Sequence, residues 1–439
     1  TNPMLKNTYL YLLRCAAKLQ LAKNSQAKVV GVTGSAGKTG AVQAIALVLA
    51  KKYRVQRTIK GNSETGIPFE LLKIPVKNYV GLDWLWLLPK IIWQLLTYWP
   101  RYDWLVVEMG IDSDQAPKNM GYLLSIIQPD FGVLLNVSSV HGQNFDHPDT
   151  IQAITQEKGK LLQSLPDQGL AIYSQDHPPL VELASKLSAK TKSFSLQQKA
   201  DLQLLKYEVS LTKTSFTFIH QQDQLQLTFT NQLHLQEAFG SFAAALLIGL
   251  EQGIDLKAGI KALQQNYQHL PGRMSLLAGI NGSKIIDSSY NSSLEAAVAS
   301  LKLLHQINVA GKKIAVLGDM REIGPSAQAD HEQLAQVAFN HVDELFLIGP
   351  LMKKYALPKL KTLESKSKKI HWFLQAPQAI ENLKTTVSPN DLILVKGSQS
   401  TIFLEIIVQA LLAHPTRDQS LLCRQSPYWD QQRSLLSSN

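Results

Sequence analysis

The sequence predicts an α/β protein in which parallel strands alternate with helices through two successive domains. Three observations carry that reading. The first is Gly31-Val32-Thr33-Gly34-Ser35-Ala36-Gly37-Lys38-Thr39, a glycine-rich turn between an apolar run, Val29-Val30, and an alanine- and leucine-rich run, Ala41 to Ala50. The second is a series of short apolar segments separated by helix-length runs on both sides of Pro271-Gly272. The third is the stretch Ala200 to Thr230, where Val209/Leu211, Phe216/Phe218 and Leu225/Leu227 alternate with polar residues at the period of antiparallel strands.

Taken in order, residues 1–27 read as a leading helix, with Leu5, Tyr9, Leu12, Ala16 and Leu19 at helical spacing. Residues 28–270 form the first α/β domain. Its strands are expected at Val29-Val30, Arg54 to Ile59, Trp104 to Val107, Phe131 to Val137 and Gly169 to Tyr173. Gly61 to Pro68 reads as a polar loop, Asp149 to Leu165 as a helix, and Ala238 to Leu250 and Leu256 to Tyr267 as two more. Residues 271–439 form a second, Rossmann-like α/β domain, with strands at 284–286, 314–317, 345–348, 370–373 and 392–395 and a polar tail from Ala413.

The opening turn has the chemistry of a P-loop. Glycines let backbone N–H groups converge on an anion, and the helix end adds partial positive charge. Lys38 reaches outer phosphates and the Thr39 hydroxyl suits Mg²⁺. The first glycine of the general motif falls on Val32, so the match is to a variant, Thr-Gly-x-x-Gly-Lys-Thr.

The chain has 439 residues and a formal net charge of +10, enough length for two or three real cores. The basic residues are scattered, which suits anionic substrates or an anionic membrane surface. No nucleic-acid motif accompanies them, and no nucleic-acid partner is expected. Cys15 and Cys423 show no metal spacing and are too few for a disulfide framework, so a reducing cytoplasm fits. Trp84 to Trp99 is unusual. Leu85, Leu88, Ile92, Leu95 and Trp99 share one helical face; Trp86, Lys90 and Trp93 share another. The segment is too short to span a bilayer. Two readings stand: a helix packed on the protein's own core, or peripheral membrane contact through 84–99.

Several stretches together resemble the Mur ligases, the ATP-dependent amide-forming enzymes of peptidoglycan synthesis, and within them the branch that adds D-alanyl-D-alanine. These are Thr33 to Thr39, Gly61-Asn62 with Gly66-Ile67-Pro68, Glu108-Met109-Gly110, Asn136…His141, and Glu157-Lys158-Gly159. In the second half they are Gly272-Arg273, Asp287-Ser288-Ser289-Tyr290-Asn291, Gly318-Asp319-Met320-Arg321-Glu322-Ile323-Gly324 and Val395-Lys396-Gly397-Ser398. The resemblance covers roughly residues 28 to 410. It departs at Ser288 (usually aspartate), Leu294 (proline), Gln399 (arginine), Gly40 (a second hydroxyl) and the turn His234-Leu235-Gln236-Glu237. The family also carries an N-terminal domain that holds the UDP-sugar. Only 27 residues precede the first strand here, so a chain lacking that domain is expected.

The resemblance implies a mechanism. The γ-phosphoryl of ATP passes to a carboxylate, and an amine attacks the acyl phosphate. It implies ATP contacts at Thr33, Gly34, Ser35, Ala36, Gly37, Lys38 and Thr39, and at Arg273 and Asp287 from the second domain. Two Mg²⁺ ions are implied, held by Thr39, Glu108, His141 and Lys158, the last as a carbamate. Lys38, Glu108, His141 and Lys158 form the catalytic set. Asn62, Ser289, Tyr290, Asn291, Asp319 and Lys396 are candidate substrate contacts. Read singly, Glu108 is a strand-end carboxylate, His141 a loop histidine and Lys158 a solvated helix charge; their order along the chain favours a site. The expected partners are a small-molecule or lipid-linked peptidoglycan precursor and an amino acid or dipeptide. A folate-type acceptor, or a scaffold that binds nucleotide without catalysis, is the alternative. The expected location is cytoplasmic, with membrane association if 84–99 makes contact.

Overall fold

The computed structural model describes residues 3–75, 83–138, 145, 150–321, 323–363, 368–398 and 402–437. The chain divides into two units. One takes Thr1–Lys206, Phe216–Leu227 and Glu237–Tyr267; the other takes Tyr207–Ser215, Thr228–Gln236 and Gln268–Asn439.

In the first unit, helix α1 (Pro3–Ala22) leads into β1 (Lys28–Thr33), and α2 (Lys38–Leu49) follows the glycine-rich turn. Next come β2 (Val55–Arg57), α3 (Gly66–Leu71), α4 (Asp83–Thr97), β3 (Trp104–Glu108), α5 (Met120–Ile126) and β4 (Phe131–Leu134). Then α6 (Thr150–Gln163), β5 (Leu170–Ser174), α7 (Pro178–Ala184) and β6 (Lys190–Ser195) complete the parallel part. Strands β7 (Leu202–Ser210), β8 (Lys213–His220) and β9 (Asp223–Thr230) follow, joined by two-residue turns. The strand order is β2-β3-β1-β4-β5-β6-β7-β8-β9. Pairs among the first seven of these strands are parallel. The chain leaves β1 towards β2 and β3, then returns to its other side at β4. The order therefore reverses at β1, and open α/β sheets bind ligands beyond the carboxyl ends of strands at such a point. Helices α8 (Phe239–Glu251) and α9 (Leu256–Asn266) close this unit.

β1, β3 and β4 are almost wholly buried, which is why each reads as an unbroken apolar run. Gly31 lets the layers close, because a Cβ there would stand 2.8 Å from Leu161 Cδ1 and 2.9 Å from Met109 Sδ.

The second unit orders its strands β10-β11-β15-β12-β13-β14. These are β10 (Ser275–Ala278), β11 (Lys284–Ser288), β12 (Lys313–Gly318), β13 (Glu344–Ile348), β14 (Lys369–Phe373) and β15 (Leu392–Lys396). β10 is antiparallel to β11; the remaining pairs are parallel. Helices α10 (Leu294–Gln306), α11 (Ala327–His341), α12 (Leu357–Thr362) and α13 (Ala376–Thr386) connect them.

Two features differ from the sequence reading. Gly66–Leu71 is helical although it overlaps the expected polar loop. After α14 (Glu405–Leu411), the polar tail folds as α15 (Pro415–Asp418) and α16 (Pro427–Ser437). Arg424 ties the tail to the rest of the second unit. Its guanidinium is buried, bonds Glu405 Oε2 at 3.1 Å and Ser289 O at 3.3 Å, and also bonds Tyr290 O.

Candidate active site

The turn after β1 is held open from below. Gly37, the N-cap of α2, has φ 81°, and Gly34 has φ 153°. Both angles favour glycine, so the motif's spacing is a backbone requirement. Asn136, just past β4, clamps the loop: its Oδ1 accepts the Ala36 N–H at 2.8 Å and its Nδ2 donates to Ala36 O at 3.2 Å. Ser35 N–H bonds Asn136 O, and Ser35 Oγ accepts the Ser138 N–H at 2.9 Å. Thr33 is buried, its hydroxyl donating to Met109 O at 2.8 Å. The turn is thereby tied to both neighbours of β1.

Two lysines converge on it. Lys38 Nζ donates to Gly34 O at 2.9 Å and Ser35 O at 3.4 Å. Lys158, buried on α6, donates to the same Gly34 O at 3.3 Å. Burial first, and the Lys38 charge second, push the Lys158 ammonium down to about 7. Its neighbours in sequence have structural work. Glu157 Oε1 accepts the Met120 N–H at 2.8 Å at the start of α5. Gly159 lets α6 approach α7, since a Cβ there would meet Leu183 Cδ2 at 2.7 Å.

Glu108 ends β3. Its N–H bonds Thr58 Oγ1 at 2.9 Å, and its Oε1 accepts from Asn62 Nδ2 at 3.0 Å. Asn62 O in turn accepts the Gly110 N–H. Lys38, Asn62, Ser63, Gly110, Asp112 and Lys118 line a cavity here. Asp112 and Lys118 escaped the sequence reading, although Asp112 stands only four residues after Glu108. Thr39 is half-buried in the first turn of α2. A hydroxyl and a carboxylate are hard oxygen donors, the set Mg²⁺ prefers; a lysine joins it only as a carbamate. His141 lies outside the described residues.

On the other side of the turn, a second cavity is lined by Gly37, Asn136, His177, Phe194, Glu237 and Ser241, among others. Nothing in the sequence pattern marked it beyond the turn ending in Glu237. His234 from that turn is buried, its ring 4.1 Å from Phe229 and 4.3 Å from His269 by centroids. It packs as a core residue.

In the second unit, β11 and β15 bring Ser288 and Lys396 into register. Asp287 is fully buried: Oδ1 accepts the Ser289 N–H at 3.0 Å, and Oδ2 has no hydrogen-bond partner among the described residues. Burial pushes its carboxyl up to about 6. Lys396 Nζ donates to Ser288 Oγ at 3.2 Å and Asn291 O at 3.1 Å; burial, then Arg273, lowers it to about 8. Tyr290 carries two guanidiniums over its ring, Arg273 at 4.3 Å and Arg424 at 5.2 Å. Ser289 Oγ lies 3.6 Å from Cys423 Sγ, and Asn291 Oδ1 accepts the Ser292 N–H at 2.8 Å. Asp319, expected as a substrate contact, is engaged with the backbone. Its two carboxylate oxygens accept the N–H groups of Met352 (2.8 Å) and Leu351 (3.1 Å), so it caps the segment after β13. The cause is local: Gly349, without a side chain, lets the carboxylate sit beneath the turn.

The model of the Mur ligase middle domain matches residues 32–236, and that of the Mur ligase glutamate ligase domain matches 272–399. The chain is similar to the UDP-N-acetylmuramoyl-tripeptide–D-alanyl-D-alanine ligase of Bacillus subtilis, with 26% identity over 390 residues, 88% of this chain and 76% of that protein. The Escherichia coli protein of the same name is 24% identical over 395 residues, 89% of this chain and 78% of its own length. Among solved structures, the MurF ligase of Thermotoga maritima in complex with ADP superposes with a TM-score of 0.73 at 23% identity, covering 94% of this chain and 84% of that one. MurF from Acinetobacter baumannii gives 0.73 at 22% identity, covering 91% and 79%. These two likenesses establish a common fold.

Proposed function

Because this chain belongs to the Mur ligase family, we propose that it is an ATP-dependent ligase of peptidoglycan synthesis that joins a carboxylate to an amine. The amine is D-alanyl-D-alanine or a relative of it, and the acceptor is muramyl-peptide-like. The observation that carries this reading is the convergence of Lys38 and Lys158 on one carbonyl of the phosphate turn. Lys38 exchanges that carbonyl for a phosphate oxygen when nucleotide enters, the usual work of a P-loop lysine. Lys158, near neutrality in charge balance at pH 7, is nucleophilic enough to take up CO₂ and become an oxygen donor.

Thr39, Glu108, that carbamate and His141 are the residues proposed to hold Mg²⁺, which when bound neutralises phosphate charge and draws the carboxylate towards it. Asn62 orients Glu108 through its amide. The Gly37–Ser241 cavity takes the nucleoside end of ATP beside the turn. In the second unit, Asp287 Oδ2 is enclosed within the fold, and Arg273 stacks on Tyr290, where its guanidinium suits an anionic group. Lys396 positions the Ser288–Asn291 loop. A lipid-linked acceptor is a second reading, favoured by the exposed face of α4 considered below.

The test is ADP release from ATP and Mg²⁺ with UDP-muramyl-peptides offered against a panel of amines and dipeptides. Release that requires both an acyl and an amine substrate supports the assignment. Nucleotide binding without release under any pair overturns it in favour of a scaffold.

A further inference from the structure

Helix α4 has two apolar faces, and its own fold uses one. Leu87, Ile91 and Leu95 lie at i, i+4 and i+8 and pack on Leu13 and Ala16 of α1 and on Phe69 and Leu72. The sequence had suggested Leu85, Leu88, Ile92, Leu95 and Trp99 as one face, but Leu88, Ile92 and Trp99 point outwards. Trp86 is 70% exposed, Trp93 66%, Leu96 68% and Trp99 64%. At 100° per residue, Leu88, Ile92, Leu96, Trp93 and Trp86 fill one continuous arc of about 160°. Lys90 and Thr97 border it. A helix that only covers a core shows polar residues on its outer side. A contiguous aromatic and aliphatic face of this size marks a surface that something else meets.

The charges around the face indicate what meets it. α1 contains no Asp or Glu, and α4 carries one acid, Asp83 at its first residue, with none from 84 to 101. The neighbouring cations are Lys73, Lys90 and Arg101, all exposed. Lys23 completes the group, its Nζ 4.4 Å from the Trp99 ring and bonded to Tyr98 O at 3.0 Å. Tryptophans within an apolar face rimmed by lysines are the composition of a helix lying in a membrane interface. At 15 residues α4 is about 22 Å long, and no helix among the described residues is long and apolar enough to cross a membrane. We propose that α4, backed by α1, docks this protein flat on a membrane surface rich in anionic phospholipid. The proposal stands apart from the ligase reading and does not depend on which acceptor is used.

The experiment is co-sedimentation at low salt with vesicles of phosphatidylcholine alone or mixed with phosphatidylglycerol, read together with tryptophan fluorescence. The wild type should pellet with the mixed vesicles, shift its emission to the blue, and release at high salt. Lys90→Glu should weaken the partition by at least about fivefold, since each basic residue at an anionic surface counts for roughly that much. Trp86→Ser with Trp93→Ser should abolish it while leaving the melting temperature unchanged, because both side chains are solvent-exposed. Wild type that stays in the supernatant overturns the proposal. So does a wild-type dimer in analytical ultracentrifugation that the tryptophan pair dissolves without any vesicle binding, which would assign the face to self-association.

Discussion

Lys38 and Lys158 direct their ammonium groups at one acceptor, the carbonyl oxygen of Gly34, from 2.9 and 3.3 Å. Two cations cannot share one carbonyl in a buried place at low cost. Lys158, fully enclosed, is the one that yields its proton, at about 7. The proposed carbamylation would resolve the conflict, because it would replace a cation that Lys38 repels with an anion that Lys38 attracts.

The pH dependence follows from that sign. The amine form of Lys158 grows as pH rises through about 7, so CO₂ uptake grows with it and is lost as pH falls below that value. Ligation in CO₂-stripped buffer should drop and recover on adding bicarbonate, with a carbamate signal in ¹³C NMR. Lys158→Ala should be nearly inactive and partly restored by short carboxylates. Full activity of Lys158→Ala in stripped buffer would remove the carbamate from the mechanism.

Lys38→Ala removes the charge that meets the outer phosphates. The turnover number should fall by at least about a hundredfold. Circular dichroism should stay unchanged, since the Asn136 bonds to Ala36 still hold the turn when the Lys38 bonds to Gly34 O and Ser35 O are lost. Near wild-type ligation by this variant would reject the phosphate role of the turn.

Gly40 is set against Tyr267. A Cβ on residue 40 would lie 2.9 Å from the Tyr267 hydroxyl, so a side chain there would have to displace the tyrosine. Gly40→Ser should destabilise the first unit by about 1–3 kcal/mol through overpacking. Adding Tyr267→Phe should recover part of the loss, giving a coupling above about 0.5 kcal/mol in a double-mutant cycle. Strictly additive effects in urea unfolding would contradict the contact.

Arg424→Ala leaves the Glu405 carboxylate buried with Arg433 as its remaining charged partner, at 3.3 Å. Breaking such a pair costs about 3–5 kcal/mol. The second unit should melt earlier, and the KM for ATP should rise because the Ser289–Tyr290 loop loses its tether. Denaturant unfolding and kinetics measure the two effects; an unchanged midpoint would show that the ion pair contributes nothing.

What was legible in the sequence follows burial. β1, β3, β4 and β15 are covered on both faces and carry unbroken apolar runs. β6 was missed because Lys190, Thr191 and Lys192 face solvent or half-buried surroundings and only its last three residues are buried. The phosphate turn was legible because its conformation demands glycine at defined positions. By pattern alone Lys158 and Glu157 are both helix charges; the family resemblance singles out Lys158, and the structure adds that Glu157 is the carboxylate capping α5. Asp319 stands at a strand end where ligands commonly bind, yet its partners come from residues 351 and 352, which no local pattern announces. For α4 the difficulty was the opposite: with apolar residues around most of the helix, periodicity could not choose the inner face.

The tether from Arg424 also imposes a timetable on synthesis. Tyr290 leaves the ribosome 134 residues before the guanidinium that binds its carbonyl. Until then Ser289 and Tyr290 lack their final partner, and Glu405, at the start of α14, lacks its buried counter-charge. A nascent chain thus carries every catalytic candidate long before it can settle the loop beside Asp287. A ribosome that stops short of residue 424 releases a product with the whole signature and an unfinished second half.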